Sequence, residues 1–125
     1  MNLGFIGTGK ITSSVIKGIY KSNISYEKII ISSRNKLISK NLKKRFKKIS
    51  IEENNQKIID KCDWIFLGVT PLVGDKIIKN LRFKKNQTVI SFISTITLNQ
   101  LKKAIKVKAK IVRAIPLPPI SLKKG

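Results

Sequence analysis

Leu3-Gly4-Phe5-Ile6-Gly7-Thr8-Gly9-Lys10-Ile11-Thr12 passes from an apolar run of strand length, through two glycines one residue apart, directly into a helical pattern. Leu3 to Ile6 reads as a strand, and Lys10 to Tyr20 as a helix with Ile11, Val15, Ile16 and Ile19 on one face. Glycines between two such elements have a definite use. The first permits a tight turn, the second lets backbone approach a pyrophosphate, and the helix N-terminus offers unpaired N–H groups and a favourable dipole to its charge. The third place of this pattern calls for a small residue where helix meets strand; it holds Thr12, so the sequence is G-x-G-x-x-T.

The rest of the chain repeats the alternation. Ile29 to Ser32 is a β-branched strand, Lys36 to Lys48 a basic helix with an apolar stripe at Ile38, Leu42 and Phe46, and Lys48 to Ile51 a short third strand. A brief helix near Gln56 to Lys61 leads to Asp63 to Val69, whose continuous apolarity predicts a strand buried on both faces. A helix from Leu72 to Leu81, strands over Thr88 to Ile93 and Lys110 to Ile115, and a helix near Leu98 to Ile105 complete the series. Such alternation predicts an α/β fold: one doubly wound parallel sheet with helices on both faces, of Rossmann type, in strand order 3-2-1-4-5-6. Residues 1–115 form this domain, and the proline-rich segment 116–125 cannot continue the last strand, so it reads as an exit segment toward something absent.

The 125 residues carry 27 Lys plus Arg against 6 Asp plus Glu, for a net charge of +21. No apolar run approaches the ~20 residues of a membrane span, and the N-terminus shows no secretion pattern, so the protein is expected in the cytoplasm, away from membranes. One cysteine and no histidine exclude a disulfide framework, a conventional zinc site and a His-based triad; no metal site is expected. The lysines are spread through almost every segment, which fits compositional bias better than a nucleic-acid surface.

At the end of the second strand, where an NAD site places a carboxylate on the ribose, stands Ser32-Ser33-Arg34-Asn35. With no acid to repel a 2′-phosphate and Arg34 able to bind one through two N–H groups, NADP(H) is favoured over NAD(H).

Gly4-Phe5-Ile6-Gly7-Thr8-Gly9-Lys10-Ile11, Ile16-Lys17-Gly18-Ile19, Ser32-Ser33-Arg34-Asn35, Phe66-Leu67-Gly68-Val69-Thr70-Pro71 and Val112-Arg113-Ala114-Ile115-Pro116 together resemble the N-terminal domain of the pyrroline-5-carboxylate reductases, over essentially the whole chain. The resemblance implies NADPH-dependent hydride transfer to the cyclic imine 1-pyrroline-5-carboxylate, giving proline. By position, it implies that Ile6, Gly7, Thr8, Gly9, Lys10 and Ile11 form the pyrophosphate turn, and that Ser33, Arg34 and Asn35 hold the 2′-phosphate. Asn55 would lie near the adenosine, and Gly68, Val69, Thr70 and Pro71 would match the family's Ala-Val-Lys-Pro along the cofactor. The sequence departs from the family at Thr70, at Ile93-Ser94-Thr95 in place of Ala-Ala-Gly, and at Ile115-Pro116-Leu117-Pro118-Pro119 in place of Met-Pro-Asn-Thr-Pro. The resemblance also implies a following helical domain that forms a homodimer and completes the pocket for a small imine or carbonyl substrate. Without that domain, this chain is expected to bind cofactor but turn over poorly or not at all, and no catalytic residue is assigned.

Outside these motifs the residues have plain readings. Cys62 is expected to be a buried, inert thiol; Trp64 and Phe66 pack on one face of the fourth strand; Asp60 and Asp63 are solvated at a helix end and a strand start. Arg113, late in the sixth strand, is a candidate to face the crevice at the strands' C-terminal ends. Two other functions fit the composition: an NADP(H)-binding module that is not an enzyme, and a basic nucleic-acid-binding protein, the less favoured of the two.

Overall fold

The computed structural model describes residues 1–7, 9–33 and 35–114. Thr8 of the glycine turn, Arg34 of the 2′-phosphate assignment, Ile115 and the exit segment 116–125 lie outside the described residues. The elements are β1 (Asn2–Ile6), α1 (Lys10–Lys21), β2 (Lys28–Ser32), α2 (Lys36–Arg45), β3 (Ile49–Glu52), α3 (Asn55–Lys61), β4 (Trp64–Leu67), α4 (Pro71–Asn80), β5 (Thr88–Ser91), α5 (Leu98–Ile105) and β6 (Lys110–Arg113). All six strands are parallel, in the order β3-β2-β1-β4-β5-β6. That is the doubly wound arrangement the alternation predicts.

Successive residues of each strand feed opposite faces of the sheet, which explains the continuous apolar runs. Leu3, Phe5, Ile29, Ile31 and Phe66 bury one face against Val15 and Ile16 of α1 and Leu42 of α2. Ile6, Ile30, Ile65, Leu67 and Val89 bury the other beneath Ile58 and Ile59 of α3, Ile78 of α4 and Leu101 of α5. Helix α2 presents the stripe Ile38, Leu42 and Phe46 inward, leaving its lysines in solvent. Phe5 and Phe66, paired in register on β1 and β4, stack with ring centroids 4.3 Å apart. Trp64 lies 6.3 Å from Phe66 and is 36% exposed, so its indole caps this aromatic row at the sheet's N-terminal end.

Two strands end sooner than their apolar runs. Beyond Leu67 the Gly68 N–H still donates to the Ile6 carbonyl (2.8 Å), and beyond Ser91 the Phe92 N–H donates to the Leu67 carbonyl (2.9 Å); both chains then leave the ladder to form loops. Val69 and Ile93 therefore spend their apolar side chains on packing above the sheet.

Cys62 is buried where α3 turns into β4, beside the buried Gln87 amide that donates to the Ile59 and Cys62 carbonyls. Burial, and then the charge of Asp63, push its thiol up to about 11. Iodoacetamide at pH 8 is expected to leave Cys62 unmodified in the folded chain and to label it fully in denaturant. Because the folded thiol holds its proton more tightly than the unfolded one, stability is retained below the ordinary thiol value and falls as pH rises toward about 11. A thermal-melt series across that range reads the loss.

Candidate functional site

The connections from β1 and β4 run to opposite faces of the sheet, so they part at the C-terminal edge and leave a crevice between the N-termini of α1 and α4. These two helices differ from the other three. Asn35, Asn54 and Thr97 cap α2, α3 and α5 through their side chains, Thr97 within a full capping box with Gln100. Gly9 and Thr70, at the N-caps of α1 and α4, make no side-chain cap bond. No acidic residue stands in the first turn of either helix. Their positive ends are thus left available to an anion; in dinucleotide-binding folds the first of these helix ends, that of α1, is the one that faces a pyrophosphate.

The glycines differ in what holds them. Gly7 has φ +99°, and its N–H donates to the buried Ser32 Oγ (2.9 Å), pinning the turn to the end of β2. A Cβ on Gly7 would lie 2.6 Å from the Gly68 carbonyl carbon and oxygen, so the two loops pass in backbone contact. A Cβ on Gly9 would meet nothing within 4 Å and would project into open space at the head of α1. Gly68 closes the arrangement: a Cβ there would fall 2.4 Å from Thr12 Oγ1. Thr12, at the pattern's third place, is 1% exposed and its hydroxyl is buried without a partner among the described residues. The small residue that the third place normally supplies has moved across the contact, from α1 to the end of β4.

A cavity of about 550 Å³ is lined by Gly7, Gly9, Asn35, Lys36, Gly68, Val69 and Thr70. A second, of about 340 Å³, lies against Gly9, Lys10, Ile11, Thr12, Gly68, Val69, Thr70, Phe92, Ile93 and Ser94. Sharing Gly9, Gly68, Val69 and Thr70, the two form one crevice that crosses the sheet from the β2 side to the β5 side. Neither lining contains Asp or Glu, while Lys36 and Lys10 contribute positive charge. The residues fit a dinucleotide: open space above Gly9, uncapped helix ends flanking it, and room on both sides.

The structure brings Gly7, Gly9, Lys10, Ile11, Asn35, Gly68, Val69 and Thr70 together around this crevice, and Pro71 opens α4 beside it. Ile6 is buried and faces the core; its contribution is the carbonyl that receives Gly68. Asn35 accepts from the Ile38 N–H and so orders the head of α2. Ser33 follows β2 half-buried, and Asn55 begins α3; neither is among the described residues lining the crevice. Asp60 and Asp63 are exposed, accepting from Gln56 Nε2 and the Asn2 N–H respectively. Ser32, Lys36, Phe92, Ile93 and Ser94 belong to the site without being assigned to it from sequence, although Ser32 stands in the 2′-phosphate segment and Ile93 and Ser94 in a departure from the family pattern. The β5 loop carries no glycine or charge to mark it, and Ser32 reads as the last residue of a strand.

The fold is a doubly wound domain whose crevice fits a dinucleotide, and similarity to known proteins gives its class, the nucleotide-binding domain of an oxidoreductase. Residues 2–95 match the family described as NADP oxidoreductase, coenzyme F420-dependent, and the chain belongs to that family. It is 27% identical over 128 residues to pyrroline-5-carboxylate reductase of Escherichia coli (strain K12), covering 98% of this chain and 46% of the relative. The solved 1-pyrroline-5-carboxylate reductase of Streptococcus pyogenes is 30% identical, with a TM-score of 0.73 over 90% of this chain and 41% of that one. Plasmodium falciparum pyrroline carboxylate reductase, solved with NADP bound, shares the fold at 22% identity and a TM-score of 0.80, over 98% of this chain and 44% of that one. The chain spans less than half the length of these relatives. No described helix is long and apolar enough to cross a membrane, and the described residues contain no group of three His, Cys, Asp or Glu able to hold a metal.

Proposed function

We propose that this chain is the NADP(H)-binding part of a cytoplasmic reductase that transfers hydride to a small cyclic imine of the 1-pyrroline-5-carboxylate type, the step that yields proline. The observation that carries the reading is the open space above Gly9 at the uncapped head of α1, within an acid-free crevice. In this reading the adenosine end lies toward Asn35 and Lys36, with Ser33, Arg34 and Asn35 serving the 2′-phosphate, and the nicotinamide lies toward Phe92, Ile93 and Ser94. Residues 1–115 act as the cofactor domain, and 116–125 lead to a helical domain that completes the substrate pocket and forms the homodimer. Hydride transfer is the cofactor's chemistry; the residues described here bind and orient it and keep acidic groups away from its phosphates.

Calorimetric titration with NADPH and NADH at physiological salt tests the reading. Micromolar NADPH binding with clearly weaker NADH binding is expected, and failure of both to bind overturns it. Arg34→Glu is expected to weaken NADPH by about tenfold or more, a loss of ~1.4 kcal/mol, with little change for NADH. Equal losses for the two cofactors overturn the Arg34 assignment.

A further inference from the structure

Arg113 closes β6, one strand beyond β5, and its Nη2 donates to the Ser94 carbonyl at 2.7 Å. Ser94 lines the β5 side of the crevice, in the compartment that the proposed function gives to the nicotinamide. Arg113 is not itself among the described lining residues, and its guanidinium is tied to that wall from the β6 side through the Ser94 carbonyl. The backbone beside it is equally constrained: Arg113 is in register with Ser91, and the next N–H, of Ala114, donates to the Ser91 carbonyl at 2.8 Å.

A guanidinium carries five N–H donors in one plane, and the bond to Ser94 uses one of its terminal nitrogens. Among the described residues no carboxylate pairs with Arg113: the ion pairs of Glu27, Glu52 and Asp75 are made with the N-terminus, Lys61 and Lys79, and Glu53 is exposed just beyond β3, the strand farthest from β6 in the sheet. Asp60 and Asp63 are engaged at the α3–β4 connection, which enters β4 from the edge of the sheet opposite the crevice. The adjoining crevice wall offers hydroxyl and apolar groups, Thr70, Ser94, Ile11, Val69 and Phe92, with the Lys10 ammonium at the head of α1, and no acid. An exposed, oriented guanidinium without a counter-ion, beside an acid-free compartment, is complementary to a planar anion held by two N–H groups.

We infer that Arg113 determines substrate specificity by binding the carboxylate of the molecule to be reduced. The inference rests on the cofactor reading above, which places the reacting end of the nicotinamide toward Ser94. Arg113 takes no part in hydride transfer; it fixes one end of a small carboxylate-bearing ring so that the reducible bond lies over the cofactor.

The test uses the chain saturated with NADP⁺ and two ligands of one shape that cannot be reduced, cyclopentanecarboxylate and cyclopentanecarboxamide, with binding followed by the Arg side-chain Nε–H resonances. The wild type is expected to prefer the carboxylate by about tenfold or more, with the Arg113 resonance shifting during the titration. Arg113→Met is expected to bring the two affinities level, and Arg113→Lys to restore part of the preference as a point charge without the planar fork. A wild-type chain that does not discriminate, or an Arg113→Met chain that still does, overturns the inference while NADPH titration shows the cofactor reading intact. Loss of NADPH binding by the wild type overturns both.

Discussion

Gly9→Asp is expected to weaken NADPH binding severely and leave the fold standing. A Cβ at Gly9 meets no atom within 4 Å, and its backbone is extended (φ −97°, ψ −170°), so the substitution strains nothing in the free chain. Aspartate is also a favoured N-cap, and its carboxylate can accept from the unsatisfied N–H groups of α1. The gain for the helix is the loss for the ligand. The carboxylate occupies the space and the donors that a pyrophosphate needs, and sets like charge against it at a cost of several kcal/mol. Melting temperature should hold or rise slightly, while calorimetry should find NADPH weakened by about a hundredfold or more, equivalent to ~2.7 kcal/mol. An Asp variant that binds NADPH normally would remove the glycine turn from the site. The neighbouring glycine behaves in the opposite way. Gly7→Ala forces a side chain into a left-handed φ and within 2.6 Å of the Gly68 backbone, so its first effect is on folding.

These two glycines also mark how far the chain could be read without coordinates. Apolar periodicity and glycine placement are local signals, and they suffice for the alternation of elements, the helix faces and the turn at Gly7 and Gly9; Gly68 enters only through the resemblance to the reductase family. Strand ends were less legible. The apolar runs at Asp63–Val69 and Thr88–Ile93 continue past the ladder because Val69 and Ile93 still pack against buried residues after their backbones have left the sheet. Nor did composition reveal which helices would be uncapped. Thr70 is as good a capping residue by type as Thr97, yet only Thr97 has a Gln three residues on to complete the box. The place of Arg113 late in β6 marks it as a crevice candidate from sequence, but its bond to the Ser94 carbonyl follows from strand order, which no local pattern expresses.

Thr12 is the residue whose meaning changes most, and Gly68→Ala draws it out. Read along the chain, Thr12 is a flaw in the glycine pattern; in the fold its hydroxyl rests against the α-carbon of Gly68, where an alanine methyl would fall 2.4 Å from Oγ1. Thr12 is 1% exposed, β-branched and on the inner face of α1, so it has little freedom to turn aside. Gly68→Ala should therefore destabilise the chain by about 1–3 kcal/mol, seen as a melting temperature lower by roughly 4–15 °C. Thr12→Ala on that background removes the clashing atom and restores the usual order, small residue on the helix and methyl on the strand. The double variant should melt within a few degrees of the wild type, a coupling energy of about 1–2 kcal/mol. Thr12→Val on the same background keeps a branch at that position and should not rescue. Alone, Thr12→Val should raise the melting temperature, because it replaces a buried hydroxyl that has no partner among the described residues by a methyl of the same shape. If Gly68→Ala is tolerated with Thr12 in place, α1 and β4 are not packed at this point, and the crevice loses the contact that sets its floor.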